Sequence, residues 1–361
     1  MDRRRRKARV TPWGALVCLV AVLSTGAAQS FAAASQAEAV LSVQGRITFL
    51  AADGNHAAVT TTVKRACARR IVVWSAPGSS SVSMKPGSLG CAGDGVTQLA
   101  VGGSRVAWIE QGGGNSLEMA VMAAGLTGGV RKQFEFATNG DRASGDPSGQ
   151  WVGQLLGGGS LLAYNRWAQV CDRPEVEACG HKDPQLRLTD QELIRIAAGR
   201  RAVVLRGPAA YPLIALGGGH LAVAKADGVT IRDASGAEVA TVPNAASERA
   251  ALSTTRLAVE TASTLDLYDP ATGARGKSLS LGPAAVLPLA GVTSKLALLR
   301  GPHRLIVVRL GDGKRISFPL RRAAATLVGA RLTDAGLFYA YNVRGSGRIV
   351  FEPTGKLTAR F

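Results

Sequence analysis

The chain has 361 residues, a formal net charge of +18 and 46% hydrophobic residues, with aromatic residues at only 5%. The length allows one large or two ordinary domains, and the hydrophobic content is enough for a substantial core. The abundance of Gly, Ala and Val, with few amphipathic helical stretches, favours small-residue β packing over a helix bundle.

The N-terminal segment has the layout of a secretory signal peptide. Six basic residues lie within the first nine positions, an apolar run covers Trp13–Leu23, and A-x-A sites follow at Ala32–Ala34 and Ala37–Ala39. We predict a signal peptide over residues 1–34, cleaved at 34 or 39, and a secreted or cell-envelope protein with no membrane span after cleavage. The alternative is an uncleaved anchor, since residues 13–34 could nearly span a bilayer.

Most of the positive charge belongs to the mature chain. Residues 1–34 contain six basic groups and Asp2, which leaves +13 on the remainder. Such a charge attracts anionic polymers or lipid headgroups. An Arg-rich composition that accompanies the Ala and Gly excess is the other explanation.

Four cysteines follow the leader: Cys67, Cys91, Cys171 and Cys179. An even number in an exported chain predicts two disulfides. Cys67–Cys91 with Cys171–Cys179 is the most local of three possible pairings. Cys171, Cys179 and His181 match no zinc spacing, so no metal site is predicted.

Residues 213–241 hold the pattern from which the rest of the chain is built. Four short apolar runs are separated by the turn sequences Gly217–Gly219, Asp227–Gly228 and Asp233–Gly236. This pattern predicts a four-stranded meander, which cannot bury both its faces alone.

The same unit recurs along the chain, anchored on a small or apolar residue of its second strand. The anchors are Ala58, Ala107, Ala163, Ala222, Ala258, Ala297 and Phe338. Their spacing averages about 47 residues, as in propeller blades. The two longest intervals contain the Gly/Ser/Asp-rich segment Thr138–Gln150 and the insertion Cys171–Pro184.

Each anchor is followed by a third-strand candidate, and several of these run directly into a turn with Asp or Pro early and Gly late. The third-strand candidates are Arg70–Trp74, Leu117–Val121, Leu186–Leu188, Val229–Arg232, Leu265–Tyr268, Leu305–Val308 and Arg348–Phe351. A fourth strand follows in several units.

Three segments carry a family resemblance. Ile231–Gly236 and Leu267–Gly273 resemble the third strand and turn of WD40-like propellers, and Ala52–Val59 resembles the turn and strand of the TolB-like repeat. The resemblance implies an all-β fold over residues 40–361. With the repeat count, we expect a seven-bladed β-propeller of four-stranded antiparallel blades.

Closing the units into a ring would protect their strand edges. Strand-like sequence begins at Arg46–Phe49 and ends the chain at Lys356–Phe361. The two ends either meet in neighbouring blades or complete a shared one.

Catalytic and cofactor signatures are not found. The chain has no G-x-S-x-G, H-E-x-x-H or G-x-x-x-x-G-K-[ST] motif, and Gly273–Ser278 only ends like a phosphate loop. No cofactor is predicted. The insertion at about 168–185 includes Glu175, Glu177 and His181, which could supply acid–base chemistry at a channel mouth or form a solvated loop.

The residue two positions before the anchor is basic in five of the seven units, and we call these positions the basic column. Its basic members are His56, Arg105, His220, Arg256 and Lys295. In a propeller these positions come to one rim, where they could bind an anionic envelope polymer or a protein, although cations are also ordinary at solvated strand starts. Nucleic acid is disfavoured, because export removes the target and aromatic residues for base stacking are sparse.

The sequence therefore predicts an exported, non-catalytic binding or interaction module. The alternative is a hydrolase or lyase that acts on an envelope polysaccharide or polymer, with its site at the channel mouth.

Overall fold

The computed structural model describes residues 38–62, 69–87, 95–114, 116–141, 146–171, 186–197, 199–207, 212–243, 245, 249–282, 287–319 and 325–361. The predicted signal peptide, three of the four predicted disulfide cysteines (Cys67, Cys91 and Cys179) and residues 172–185 of the insertion lie outside these ranges. Over the described residues the chain is all-β apart from one short helix.

The first half of the chain forms thirteen strands. They are β1 (Ala39–Val43), β2 (Arg46–Asp53), β3 (His56–Thr62), β4 (Arg69–Ser75), β5 (Ser81–Met84), β6 (Gly95–Gly102), β7 (Arg105–Gly112), β8 (Leu117–Gly125), β9 (Gly128–Asp141), β10 (Asp146–Gly158), β11 (Leu161–Cys171), β12 (Leu186–Ala197) and β13 (Arg200–Gly207).

The second half forms shorter strands and the helix. They are β14 (Leu213–Gly217), β15 (His220–Lys225), β16 (Gly228–Asp233), β17 (Glu238–Pro243), β18 (Ala250–Leu252), β19 (Leu257–Glu260), β20 (Thr264–Tyr268), β21 (Arg275–Ser280), β22 (Leu289–Val292), β23 (Leu296–Arg300), β24 (Arg304–Arg309), β25 (Arg315–Pro319), β26 (Thr326–Leu332), β27 (Gly336–Val343), β28 (Ser346–Pro353) and α1 (Thr354–Thr358).

The strands form antiparallel up-and-down sheets in chain order. Four-stranded sheets contain β2–β5, β14–β17, β18–β21 and β22–β25, and an eight-stranded sheet contains β6–β13. Every anchor residue lies in the second strand of its four-strand unit, and every third-strand candidate lies in the third. The repeat pattern therefore predicted the order of the strands correctly.

The eight-stranded sheet arises where two meanders, β6–β9 and β10–β13, pair along their edges. The pairing is short, with Asp146 opposite Asp141 and Gly149 opposite Asn139. Gly149 has a φ of +124°, and a Cβ there would overlap the Asn139 backbone, so glycine permits the close approach. The described residues of the Gly/Ser/Asp-rich segment thus form the end of β9 and the start of β10.

The last sheet combines both ends of the described chain. Its order is β1–β28–β27–β26, with Ala39 opposite Phe351 and Val43 opposite Gly347. The two ends therefore complete a shared sheet, which was one of the two predicted outcomes.

The strand predicted at Lys356–Phe361 is wrong, because residues 354–358 form α1. The edge of β28 is already occupied by β1, so no ladder position remains for the C-terminal segment. The segment instead buries Leu357 against the core between the last two sheets.

The units follow one another around a ring of first strands. β2 lies against β6, β6 against β10, β10 against β14, and so on through β18 and β22 to β26, which returns to β2. The core lies between adjacent sheets, so the second and third strands are buried on both faces. Alanines at six of the anchors are fully buried, and their small size lets neighbouring sheets approach closely.

Buried polar side chains connect several of the units to the first strand of the next unit. Asn342 Oδ1 accepts from Ile47 N at 2.7 Å, and Asn342 Nδ2 donates to Ile47 O at 2.9 Å. Glu260, which is 1% exposed, accepts from Leu289 N at 2.7 Å. These bonds satisfy polar groups that would otherwise be costly to bury.

Candidate binding face at the strand turns

The five predicted rim residues occupy equivalent positions. His56, Arg105 and His220 begin the second strands of their units, and Arg256 and Lys295 immediately precede theirs. We call the hairpins that join first to second strands the turn face; they cover residues 53–56, 102–105, 158–161, 217–220, 252–257, 292–296 and 332–336.

Glycines let the turns of neighbouring units pack backbone against backbone. A Cβ on Gly217 would overlap the Leu252 carbonyl oxygen, and one on Gly158 would lie 2.6 Å from the Leu216 carbonyl oxygen. Gly218 adopts a φ of +59°. The triple glycine at 217–219 therefore serves as a turn, as expected, and the one at 157–159 lies in the equivalent turn of its unit. A third, at 112–114, lies at the end of a second strand and away from this face.

Asp53 joins three units on the turn face. Its Oδ1 accepts from Gly159 N at 2.9 Å, and the backbone N–H groups of Gly103 and Gly54 also interact with the carboxylate. Burial raises the pKa of Asp53, while these backbone hydrogen bonds oppose the rise. Thr333 Oγ1 donates to Gly54 O at 2.7 Å and ties the last unit to the first. The D-G turn of the TolB-like resemblance thus has a structural role.

The turn face surrounds a central cavity of about 520 Å³. Glycine, alanine, leucine and hydroxyl residues line most of it, and the charged side chains in the lining are Asp53, Asp334 and Arg331. No group of three or more His, Cys, Asp or Glu side chains suited to a metal ion occurs in the described part of the chain. The central cavity is therefore lined mostly by uncharged residues, with one cation and two carboxylates.

A second cavity, of about 510 Å³, opens between the sheets β18–β21 and β22–β25. Four cations line it, namely Arg256, Lys277, Lys295 and Arg309. Arg309 is paired with Asp312, and Lys277 Nζ donates to Gly311 O at 2.5 Å. Arg256 and Lys295 are exposed and form no ion pair among the described residues. We call this cavity the basic cleft.

A hydroxyl-lined pocket of about 330 Å³ adjoins the basic cleft and shares Ser294 and Lys295 with it. Its hydroxyl groups come from Ser253, Thr254, Thr255, Thr293, Ser294 and Thr354. Cationic and hydroxyl groups therefore lie side by side on this part of the turn face.

The other three predicted rim residues do not line the basic cleft. His56 Nδ1 lies 2.9 Å from Ser75 Oγ, and both His56 and Arg105 are half-buried. His220 Nδ1 is buried without a hydrogen-bond partner in the described residues. The structure thus brings together two of the five predicted residues, Arg256 and Lys295. The other three are partly buried at separate places on the turn face.

Lys277, Arg309 and Arg331 were missed by the sequence analysis. Lys277 belongs to the segment Gly273–Ser278 that ends like a phosphate loop, and Arg309 immediately follows the third-strand candidate Leu305–Val308. Both cations come from the third and fourth strands, so a search confined to one repeat position could not find them. Arg331 lies in a first strand, where no charged pattern distinguishes it.

Two predictions fall wholly or partly outside the described residues. Of the predicted disulfide cysteines, Cys171 ends β11, while Cys67, Cys91 and Cys179 are outside, so the pairing stays a prediction. Glu175, Glu177 and His181 are outside as well. Among the helices that the structure describes, none is long and apolar enough to span a membrane.

Several solved structures are similar to this chain over most of its length. The Pyrococcus horikoshii acylaminoacyl peptidase matches with a TM-score of 0.53 and 12% identity, over 86% of this chain and 51% of that chain. The β-propeller domain of the Pyrococcus furiosus trilobed protease matches at 0.39 and 9%, over 86% and 94% of the two chains. The Neurospora crassa Pan2 WD40 domain matches at 0.47 and 8%, over 86% and 90%.

Identities this low describe fold alone, and the match spans about half of the peptidase's length. The four-stranded meanders and their ring of first strands define the class of protein as a β-propeller, the fold that the repeats predicted. No protein-family model and no curated protein matches the chain.

Proposed function

We propose that the chain is a seven-bladed β-propeller that acts as an exported, non-catalytic binding module. Counting β6–β9 and β10–β13 as separate blades gives one blade for each anchor residue. Antiparallel ring propellers with exposed turns provide a rigid surface for binding partners. The unpaired cations of the turn face support the inference that this propeller binds a partner.

Export is proposed from the leader pattern of the sequence. β1 begins at Ala39, so cleavage after Ala34 would leave the closing strand whole, whereas cleavage after Ala39 would remove its first residue. We therefore favour cleavage at 34, with disulfides that form after export. Mass determination of the secreted N-terminus would distinguish the two sites and the tethered alternative.

The basic cleft carries the proposal of an anionic ligand. Arg256 and Lys295 share one cavity with Lys277, and neither Arg256 nor Lys295 has an ion-pair partner in the described chain. Unpaired cations in a cleft attract polyanions, and the neighbouring hydroxyl pocket can hydrogen-bond sugar or glycerol groups. An anionic envelope polymer of the teichoic type fits both features.

Binding to immobilised teichoic acid tests this proposal. We expect the full chain to bind at about 50 mM salt and to be released at about 500 mM, because screening weakens exposed charge pairs. The double variant Arg256→Gln/Lys295→Gln should bind roughly tenfold more weakly. The matched control Arg200→Gln/Arg304→Gln removes two exposed cations elsewhere and should bind within about twofold of the native chain.

Salt-indifferent binding, or equal weakening by both double variants, would contradict the proposal. If the ligand is instead a protein with an acidic surface, the chain should not bind the polymer. The cleft variant should then weaken binding to that protein.

The lining of the central cavity favours binding over hydrolysis. Its carboxylates are Asp53, which already accepts backbone N–H groups, and Asp334. An acid–base pair needs two carboxylates, or a carboxylate and a histidine, that are free to meet the substrate. A polymer-acting enzyme remains the alternative, tested by product release from the same polymer.

A further inference from the structure

A single arginine faces the central cavity from the first strand of the last unit. Arg331 lies near the end of β26, and its Nη1 donates to Ala330 O at 3.0 Å. A guanidinium has five N–H donors, so most of its hydrogen-bonding capacity is unused by this bond. In the described part of the chain Arg331 forms no ion pair, although it is only partly exposed and lines the central cavity.

A second arginine strengthens the positive potential beside it. Arg300 ends β23, is half-buried, and its Nη2 donates to Val328 O on the same strand as Arg331 at 2.7 Å. Burial lowers the pKa of Arg300, and burial together with Arg300 lowers the pKa of Arg331. Both guanidiniums remain charged at neutral pH, because arginine does not lose its proton in proteins.

The acidic groups near the central cavity do not neutralise this pair. Asp53 is engaged by backbone N–H groups, and Asp334 is exposed at the edge of the turn face. Neither lies within ion-pair distance of Arg331 or Arg300. Within the described residues, the desolvation of these two like charges is therefore left without a compensating anion.

From these contacts we propose that the central cavity binds an oxyanion group, a carboxylate or a phosphate, on the guanidinium of Arg331. The planar N–H fork of arginine matches the two oxygens of such a group. A cavity of about 520 Å³ accommodates a small molecule or the end of a chain. The two carboxylates at its edge disfavour polyanions, so the ligand carries one anionic group. This site is separate from the basic cleft and does not depend on its ligand.

Thermal unfolding of the full chain in matched salts tests the proposal. Phosphate or acetate replaces chloride at constant ionic strength, so that only specific binding raises the melting temperature. We expect a saturable rise for the native chain and for Arg304→Gln, a control that removes an exposed cation. Arg331→Met should weaken anion binding at least about tenfold, and Arg300→Met should weaken it less.

Protection by phosphate alone or by acetate alone identifies which oxyanion the site prefers. Equal protection of Arg331→Met and the native chain would overturn the proposal, as would equal melting temperatures of the native chain in chloride, phosphate and acetate. If Arg331→Met does not fold, Arg331→Lys keeps the charge without the fork and should bind several-fold more weakly. Arg256→Gln/Lys295→Gln should retain the protection, which separates this site from the basic cleft.

Discussion

Two groups of charged residues in this propeller differ in how their charge is compensated. In the eight-stranded sheet, Glu135 and Glu192 meet Arg166, Arg201 and Arg206. In the basic cleft, Arg256 and Lys295 meet no carboxylate in the described chain. Both groups contain cationic side chains, but among the described residues only those of the first group are paired with carboxylates.

The first group joins two neighbouring meanders. Glu135 lies on β9, whereas Glu192 lies on β12 and is only 5% exposed. Arg206 Nε donates to Glu192 at 2.9 Å, and Arg166 lies 3.5 Å from the same carboxylate. Tyr164 OH lies 3.4 Å from Glu135, and burial and this carboxylate raise the tyrosine pKa. Paired in this way, the charges hold the sheet together.

The comparison separates charges that stabilise the fold from charges available to a partner. A buried carboxylate among arginines is costly to disturb, because removal of one member leaves the others uncompensated. An exposed cation without a partner contributes little to stability and can be replaced at small cost. Predictions about stability therefore differ most between these two regions.

The largest effect is expected from Glu192→Ala. The change leaves three arginines without their shared carboxylate, and the free energy of unfolding in urea should fall by about 3 kcal/mol. Glu238→Gln is the matched control, because Glu238 is exposed and pairs with Lys225 and Arg232, and it should cost less than about 1 kcal/mol. Similar losses in the two variants would show that the network is not structural.

The second largest loss of stability is expected from a change in the packed turns of the turn face, which position Arg256 and Lys295. Gly217→Ala places a Cβ on the Leu252 carbonyl oxygen, so the turn face must shift and the free energy of unfolding should fall by about 2 kcal/mol. Gly114→Ala has open space around it and should change stability by less than about 0.5 kcal/mol. A tolerated Gly217→Ala would refute the backbone-packing role of the triple glycine.

Two aspartates should respond to pH with opposite signs. Burial opposes ionisation of Asp266, but hydrogen bonds from Ser278, Arg275 and Thr264 outweigh it and hold its pKa below the ordinary 3.8. Its contribution is present above pH 3.8 and is lost as the pH falls toward the folded-state pKa. Asp266→Asn should therefore cost about 1.5 kcal/mol at pH 7 and less at pH 3.

Asp53 behaves in the reverse way, because burial raises its pKa. Its folded state holds the proton more tightly, so stability decreases as the pH rises from 3.8 through the folded-state value. Asp53→Asn, which keeps an acceptor for Gly159, should gain stability relative to the native chain between pH 3 and pH 7. Urea unfolding at both pH values tests the pair, and the same sign for both variants would contradict this assignment.

The smallest effect is expected from Arg256→Gln/Lys295→Gln. Both side chains are exposed and unpaired, so the free energy of unfolding should change by no more than about 0.5 kcal/mol. A loss comparable to that of Glu192→Ala would show that the cleft cations stabilise the fold, and would remove the contrast between the two regions.

Part of the candidate site could be predicted from the sequence. The column that contains Arg256 and Lys295 follows from the repeat, because equivalent positions of equivalent strands must share a face. Lys277 and Arg309 join them from other strands of two adjacent sheets. Their approach depends on how sheets pack, which repeat spacing does not report.

By itself, the sequence determined the local structure: the strand order of each meander, the glycine turns and the register of the anchors. These follow from side-chain periodicity and turn chemistry, which act over a few residues. Tertiary structure alone decided the closure of the last sheet by β1, the helix at residues 354–358 and the charges of the central cavity. Ile47 and Asn342, for example, are hydrogen-bonded across 295 positions of the chain. Contacts of that kind arise only when the ring closes. The placement of Arg331 beside Arg300 depends on how two neighbouring sheets pack, so it has no local signature either.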